Sequence, residues 1–372
     1  MKGTVIKRGN KWAVVIDVGQ DVNGKRIRKW HSGFDRKRDA EAARIEILSK
    51  LASGRYVAPT KITVDEYVAR WLDNRKNIAD TTRGTYRFEL KRITDILGPR
   101  VLTQLAPTHV ADCYTELLAS GLSAKSVRNS HGVFHKALTD AVREGLVGRN
   151  VAEHVELPHP QRPDTETWTA AEAHTFLGHV ATHRLYPAWR LAVTTGMRRS
   201  EILGLRWQHV DLDTGRIAAV DTLVEVDNRP VLRIDETKTV GSRRTIAIDT
   251  ATAEALRAHH AHQATEKLAA GELYCDKGLV FCDEIGQPVS PDWFTRATKR
   301  FATAAGVPPL TPHPAGRHTF ATLALSAGVA SKVVAERLGH ASITTTLDRY
   351  SHVTEGMDRH AADTVADIIA QG

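Results

Sequence analysis

Three prolines within eight residues, Pro158, Pro160 and Pro163, interrupt the chain between two stretches that each carry their own hydrophobic pattern. Proline has no N–H to donate and biases the residue before it away from the helical region, so such a segment neither continues a helix nor sits inside a sheet. Residues 157–164 therefore read as a linker, and the sequence on either side has to bury its own core. A second break, residues 54–61 with Pro59, does the same nearer the start. A length of 372 residues also exceeds one ordinary core. The expected division is 1–58, 62–158 and 165–372.

Each segment has a different period. Residues 4–34 read as short strands: Trp12 to Val18 is a β-branched run, Asn23-Gly24 is a hairpin turn signal, and Lys25 to Trp30 alternates basic with apolar residues. Helical spacing follows over 36–52, at Ala40, Ala43, Ile47, Leu48 and Leu51. The first segment is thus a three-stranded sheet backed by one helix. Residues 62–155 are helical throughout. Thr63 and Glu66 form a capping-box pattern, Val64, Tyr67, Val68 and Trp71 lie on one face, and further helices are expected at 81–97, 107–120 and 123–144. In the third segment helices are expected at 169–181, 186–195, 199–205, 250–270 and 291–305, with strands at 215–220, 231–235 and 244–248. The apolar positions of the tail, Met357, Ala361, Val365, Ile368 and Ile369, suggest a last helix that docks on its own domain or on a neighbouring protomer. The fold class is α+β: a small sheet-plus-helix domain, a helical bundle, and a mainly helical domain with a small antiparallel sheet.

Charge is distributed as unevenly as period. Residues 1–60 carry fourteen Lys or Arg against six Asp or Glu, so this segment alone accounts for the net charge of +8. A basic excess of this kind suits a module that neutralises phosphates. Cys113, Cys275 and Cys282 form no CxxC pair and no disulfide framework. His259, His260 and His262 read as a solvated helix face rather than a metal site. No stretch is apolar enough to span a bilayer and the first residues carry no signal-peptide run, which suits a cytoplasmic protein.

Four separated motifs carry the chemistry. They are Thr195-Gly196-Met197-Arg198-Arg199-Ser200-Glu201-Ile202-Leu203-Gly204-Leu205-Arg206-Trp207; Thr237-Lys238-Thr239 followed by Ser242, Arg243 and Arg244; Pro312-His313-Pro314-Ala315-Gly316-Arg317-His318-Thr319-Phe320-Ala321-Thr322; and Leu338-Gly339-His340-Ala341-Ser342-Ile343-Thr344-Thr345-Thr346, leading to Tyr350-Ser351-His352. In this order and spacing they closely resemble the catalytic signature of the tyrosine recombinase, or phage integrase, family. Residues 62–155 resemble that family's helical core-binding domain, and residues 1–58 the arm-binding domain of some integrases.

The resemblance implies a site-specific recombinase that breaks and rejoins DNA without metal, nucleotide or other cofactor. Arg198 and Arg317 are the matching positions for two guanidiniums that fork onto the non-bridging oxygens of a phosphate. Tyr350, ten residues beyond Leu-Gly-His, matches the nucleophile that forms a 3′-phosphotyrosine. Lys238 matches the hairpin lysine that protonates the departing 5′-oxygen, and His340 matches the second family histidine. Glu201, one turn from Arg198, is placed to hold its guanidinium. The family sets a histidine three residues before the second arginine. Here Pro314 stands there, His313 lies one residue further back, and Gly316 replaces the usual leucine, as though one residue were inserted. On a helix either spacing keeps His313 and Arg317 on one face, so His313 is expected to reach the site as general base or phosphate ligand.

The implied partners are double-stranded DNA at core and arm attachment sites and three further copies of the chain in a synaptic tetramer, with room for an excisionase and a DNA-bending protein. The setting is the nucleoid of a bacterial host cell. Two alternatives stay open on sequence alone: a type IB topoisomerase, which shares the tyrosine and cation chemistry, and a DNA-binding regulator with a degenerate site.

Overall fold

The computed structural model describes residues 3–20, 24–52, 58, 60–160, 166–226, 229–233, 244–340, 342–344, 346–347, 350, 366 and 369–370. It divides into two units, 1–162 and 163–372.

The first unit contains two separate cores. Strands β1 (Gly3–Arg8), β2 (Lys11–Gln20) and β3 (Arg26–Phe34) pair antiparallel in the order β1-β2-β3. Alternation along β2 turns Trp12, Val14, Ile16 and Val18 towards helix α1 (Lys37–Ala52), where they meet Ala40, Ala43, Ile47, Leu48 and Leu51. In register, Val15 faces Trp30 and Asp17 faces Arg28, so these residues occupy the opposite sheet face. Asn23 of the expected hairpin turn lies outside the described residues; Gly24 beside it has φ 77°.

Helices α2 (Val64–Asp73), α3 (Asp80–Leu97), α4 (Pro107–Ala119) and α5 (Ala124–Arg143) form the bundle. The Thr63–Glu66 capping box is made in both directions, at 3.2 and 2.9 Å. α4 opens on Pro107, whose missing N–H costs nothing at the first helical position. Tyr67, Leu90, Ile93, Val110, Tyr114 and Phe134 fill the interior. Tyr67 donates its buried hydroxyl to Ala137 O (2.9 Å), which satisfies both groups.

In the second unit α6 (Ala170–His179), α7 (Tyr186–Thr195) and α8 (Arg199–Leu203) lead into two small sheets. Strands β4 (Val210–Asp211), β5 (Arg216–Ala219) and β8 (Arg244–Ala247) form one, in the order β4-β5-β8; β6 (Thr222–Val226) and β7 (Arg229–Arg233) form a hairpin. Helices α9 (Thr250–Ala270), α10 (Pro291–Ala304), α11 (Thr319–Ser326) and α12 (Ser331–Leu338) follow. Trp168, Phe176, Trp189, Phe281 and Phe294 centre the core, with Trp189 stacked on Phe294 at 5.3 Å.

Three differences from the sequence reading have local causes. The helix expected at 199–205 stops at Leu203, because Gly204 passes against β6: a Cβ there would lie 2.6 Å from Leu223 N. β6 itself is a strand that the sequence reading did not name. The solvated face expected at His259, His260 and His262 is wrong for His259, which is buried with Nε2 2.7 Å from Val280 O. The three cysteines are free thiols. Among the described residues no helix is long and apolar enough to cross a membrane. The proposed tail helix lies almost wholly outside the described residues.

Candidate active site

Helix α12 ends at Leu338 because Gly339 adopts the left-handed conformation, φ 66°. The last carbonyls of a helix have no donor within it and sit at the negative end of its dipole. Here three consecutive ones each accept from a guanidinium. Arg244 Nε donates to Arg337 O (2.6 Å), Arg317 Nη2 to Leu338 O (2.7 Å) and Arg198 Nη2 to Gly339 O (3.0 Å). The Leu-Gly-His motif thus builds a turn that three arginines from distant parts of the sequence grip.

The first motif supplies the complementary wall. Gly196, φ 66°, ends α7, and its carbonyl accepts from Arg317 Nη1 (3.0 Å). A Cβ at Gly196 would meet Leu338 Cδ2 at 2.6 Å and Phe320 Cδ1 at 2.9 Å, so glycine there permits both the turn and the approach of the other two motifs. Arg198 caps α8 two residues later.

Glu201 binds the arginines together. It accepts from Arg198 N (2.8 Å) and Nη1 (2.7 Å), and from Arg244 Nη1 (3.0 Å) and Nη2 (2.9 Å). Burial alone would raise its pKa. The hydrogen bond and charge of Arg244, then the charge of Arg198, outweigh burial and hold the carboxyl below its ordinary range. Arg317 lacks such a carboxylate among its hydrogen-bond acceptors. Burial above all, and the repulsion of Arg198 and Arg244, lower its pKa to about 9. The Arg317 guanidinium, buried beside two other cations, is short of compensating negative charge.

The expected insertion before Arg317 coincides with a change of winding. His313–His318 forms a π-helical turn, whose i→i+5 pattern accommodates one more residue than an α-turn. Gly316 makes it possible: a Cβ there would lie 2.7 Å from Ala192 O on α7. His313 is exposed, with its ring edge-on to His318 at 4.4 Å.

Tyr350 is buried among Ala321, Leu325, Val334 and Leu338. Its hydroxyl is hydrogen-bonded to His318 Nδ1. His340, half-buried, has Nδ1 2.7 Å from Thr346 Oγ1. Lys238 lies outside the described residues; β8, which begins six residues later, brings Arg244 into the cluster. The structure therefore gathers Arg198, Glu201, Arg317, His340 and Tyr350 around one helix end, with His313 at its margin. Sequence reasoning gave no role to Arg244 or His318. Both stand inside the quoted motifs, but only the three-dimensional partners distinguish them from a strand arginine and a helix histidine. Among the described residues no group of three or more His, Cys, Asp or Glu is placed to hold a metal.

Residues 167–357 match the phage integrase family, and residues 5–51 match an arm DNA-binding domain. The chain belongs to the phage integrase family. A tyrosine recombinase XerC-like protein of Caldanaerobacter subterraneus subsp. tengcongensis is 30% identical, with 99% of both chains covered. An integrase of Streptomyces ambofaciens is 30% identical over 92% of this chain and 90% of its own. In fold, the chain resembles the Tn1549 transposon integrase in complex with transposon right end DNA (TM-score 0.69, 22% identity, 82% of this chain and 99% of that one). It also resembles lambda integrase, solved as a dimer bound to a core site (TM-score 0.58, 18% identity, 93% of this chain and 94% of that one). As a member of this family the chain is a tyrosine recombinase, a DNA breaking and rejoining enzyme that acts at specific sites through a 3′-phosphotyrosine intermediate.

Proposed function

We propose that this recombinase integrates or excises a mobile element with Tyr350 as nucleophile and Arg198 and Arg317 as the phosphate clamp. The observation that carries the assignment is the convergence of both guanidiniums and the tyrosine pocket on the Leu338–Gly339 turn. Attack by Tyr350 on the scissile phosphorus puts negative charge on the non-bridging oxygens, where the two forked cations stabilise it. Glu201 keeps Arg198 oriented, Lys238 protonates the leaving 5′-oxygen, and His340 and His313 contribute hydrogen bonds at the phosphate. The phosphotyrosine stores the bond energy, so a partner strand's 5′-hydroxyl can reseal the backbone without ATP. A supercoiled plasmid bearing two attachment sites should yield recombinants, while a site-free plasmid stays supercoiled. Relaxation of site-free DNA would identify a topoisomerase instead.

Residues 1–58 bind arm sites in this reading, and residues 62–158 and 165–372 clamp the core site. Four protomers exchange strands in pairs through a Holliday junction on the bacterial nucleoid, with an excisionase and a DNA-bending protein as further partners. On the sheet face opposite α1, Arg28 and Trp30 lie in register with Asp17 and Val15, and the Arg8 guanidinium is 5.8 Å from the Trp30 ring. That face supports phosphate and base contacts. Deleting residues 1–58 should weaken binding to arm-site duplex by tenfold or more, on the order of the loss of a few phosphate contacts, and flatten its salt dependence. Core cleavage should persist. Unchanged arm-site affinity in a filter-binding titration would overturn the assignment.

A further inference from the structure

We propose that His318 accepts the Tyr350 proton during DNA cleavage and returns it during rejoining, an inference that rests on Tyr350 being the nucleophile. His318 Nδ1 and the Tyr350 hydroxyl are in direct hydrogen-bond contact, and both residues are buried. Their ring centroids are 5.7 Å apart. His318 ends the π-turn and follows Arg317 directly, so one short segment carries both a phosphate-binding cation and the group on the phenol. The extra residue leaves His313 exposed at the start of that turn, edge-on to His318 rather than in the buried pocket. His340 Nδ1 is engaged with Thr346 Oγ1. Among the described histidines of the motifs, His318 is hydrogen-bonded to the Tyr350 hydroxyl.

The chemistry suits the pair. A phenol of ordinary pKa, about 10, is protonated at neutral pH and releases its proton only as its oxygen bonds to phosphorus. A neutral imidazole has one ring nitrogen free to accept that proton, as a general base does. Acceptance at Nδ1 requires the tautomer with hydrogen on Nε2. In cleavage, Tyr350 Oη bonds to the scissile phosphorus while its proton passes to His318 Nδ1. The bond from phosphorus to the 5′-oxygen breaks, and that oxygen leaves with a proton from the general acid. In rejoining, a 5′-hydroxyl attacks the phosphotyrosine phosphorus and gives its proton to the now deprotonated general acid, while the bond from phosphorus to Tyr350 Oη breaks and that oxygen takes its proton back from the imidazolium.

The test is single-turnover cleavage by the full chain of a nicked duplex carrying the core site. Wild type, His318→Ala and His318→Asn are compared, each with Tyr350 or with 2,3,5-trifluorotyrosine installed at position 350. A lost base should slow cleavage by roughly 10²-fold or more in both variants, the ordinary scale of general base catalysis. The acidic fluorinated phenol should recover most of that loss in the variants and change the wild type little. Gel-shift binding of the same duplex should match wild type in at least the Asn variant, which retains a hydrogen-bonding group for the phenol. Cleavage by His318→Asn at the wild-type rate would reduce His318 to a holding contact, and an equal deficit with both phenols would exclude proton transfer. Either result overturns the inference while leaving Tyr350 as nucleophile. A wild-type adduct at another residue would instead sink the underlying assignment.

Discussion

Arg317→Ala is expected to slow DNA cleavage by roughly 10²–10³-fold or more while the protein still binds core duplex, as for removal of one preorganised donor from a charge-stabilising site. Duplex binding by a protein draws on many contacts along the DNA backbone. Charge on the scissile phosphate grows only as the tyrosine attacks, so a guanidinium aimed there acts mainly on the transition state. The lowered pKa of Arg317, about 9, has the same origin: burial beside Arg198 and Arg244 makes its charge expensive until an anion arrives. Alanine also strands two acceptors, Gly196 O and Leu338 O, at a cost of about 1–3 kcal/mol each. Arg317→Lys is therefore the informative companion. It keeps the charge but loses the fork, and it should fall between wild type and alanine. Cleavage within a few-fold of wild type in Arg317→Ala would contradict the clamp.

Glu201→Gln should produce the largest loss of stability, about 3–5 kcal/mol, because it leaves the buried Arg244 guanidinium, and the half-exposed one of Arg198, without their carboxylate. Urea unfolding at neutral pH measures it. The pH dependence has a definite sign. The folded-state pKa of Glu201 is depressed, so its contribution is fully present above the unfolded value of about 4.3 and is lost as pH falls through the folded value. The gap between wild type and Glu201→Gln should therefore narrow on the acid side. Cleavage should fall as well, since Arg198 loses the group that fixes its fork. A variant within about 0.5 kcal/mol of wild type would show that the carboxylate is an ordinary surface partner.

Much of this was readable in the sequence, for reasons that differ by element. Amphipathic helices such as α4, α5 and α10 announce themselves because their apolar positions recur every turn and their starts carry Pro107, Ser123 and Ser290. β6 did not, because five residues of Thr-Leu-Val-Glu-Val lie in a stretch with several equally short candidates, and its pairing with β7 is a tertiary fact. His259 looked like its exposed neighbours His260 and His262. What separates it is the packing of α9 over Val280, which periodicity does not reveal.

In the site, Arg198, Arg317 and Tyr350 were legible from their motifs. The register around His313 was legible only as an anomaly, because α- and π-windings of the same residues differ in hydrogen bonding and not in composition. Gly316, which departs from the family leucine, becomes intelligible only against Ala192 O. Arg244 and His318 act through partners 43 and 32 residues away, Glu201 and Tyr350, and such pairings belong to the fold.

Tyr350 is expected to carry the DNA. A duplex nicked near the cleavage point traps the covalent complex, because the released fragment diffuses away and cannot reseal. Proteolysis and mass spectrometry then identify the peptide joined to the 3′-phosphate. A single junction at Tyr350 is expected, absent in Tyr350→Phe although that variant still shifts the duplex in a gel. A junction at any other residue, or no adduct from intact protein under conditions where the duplex is bound, would contradict it.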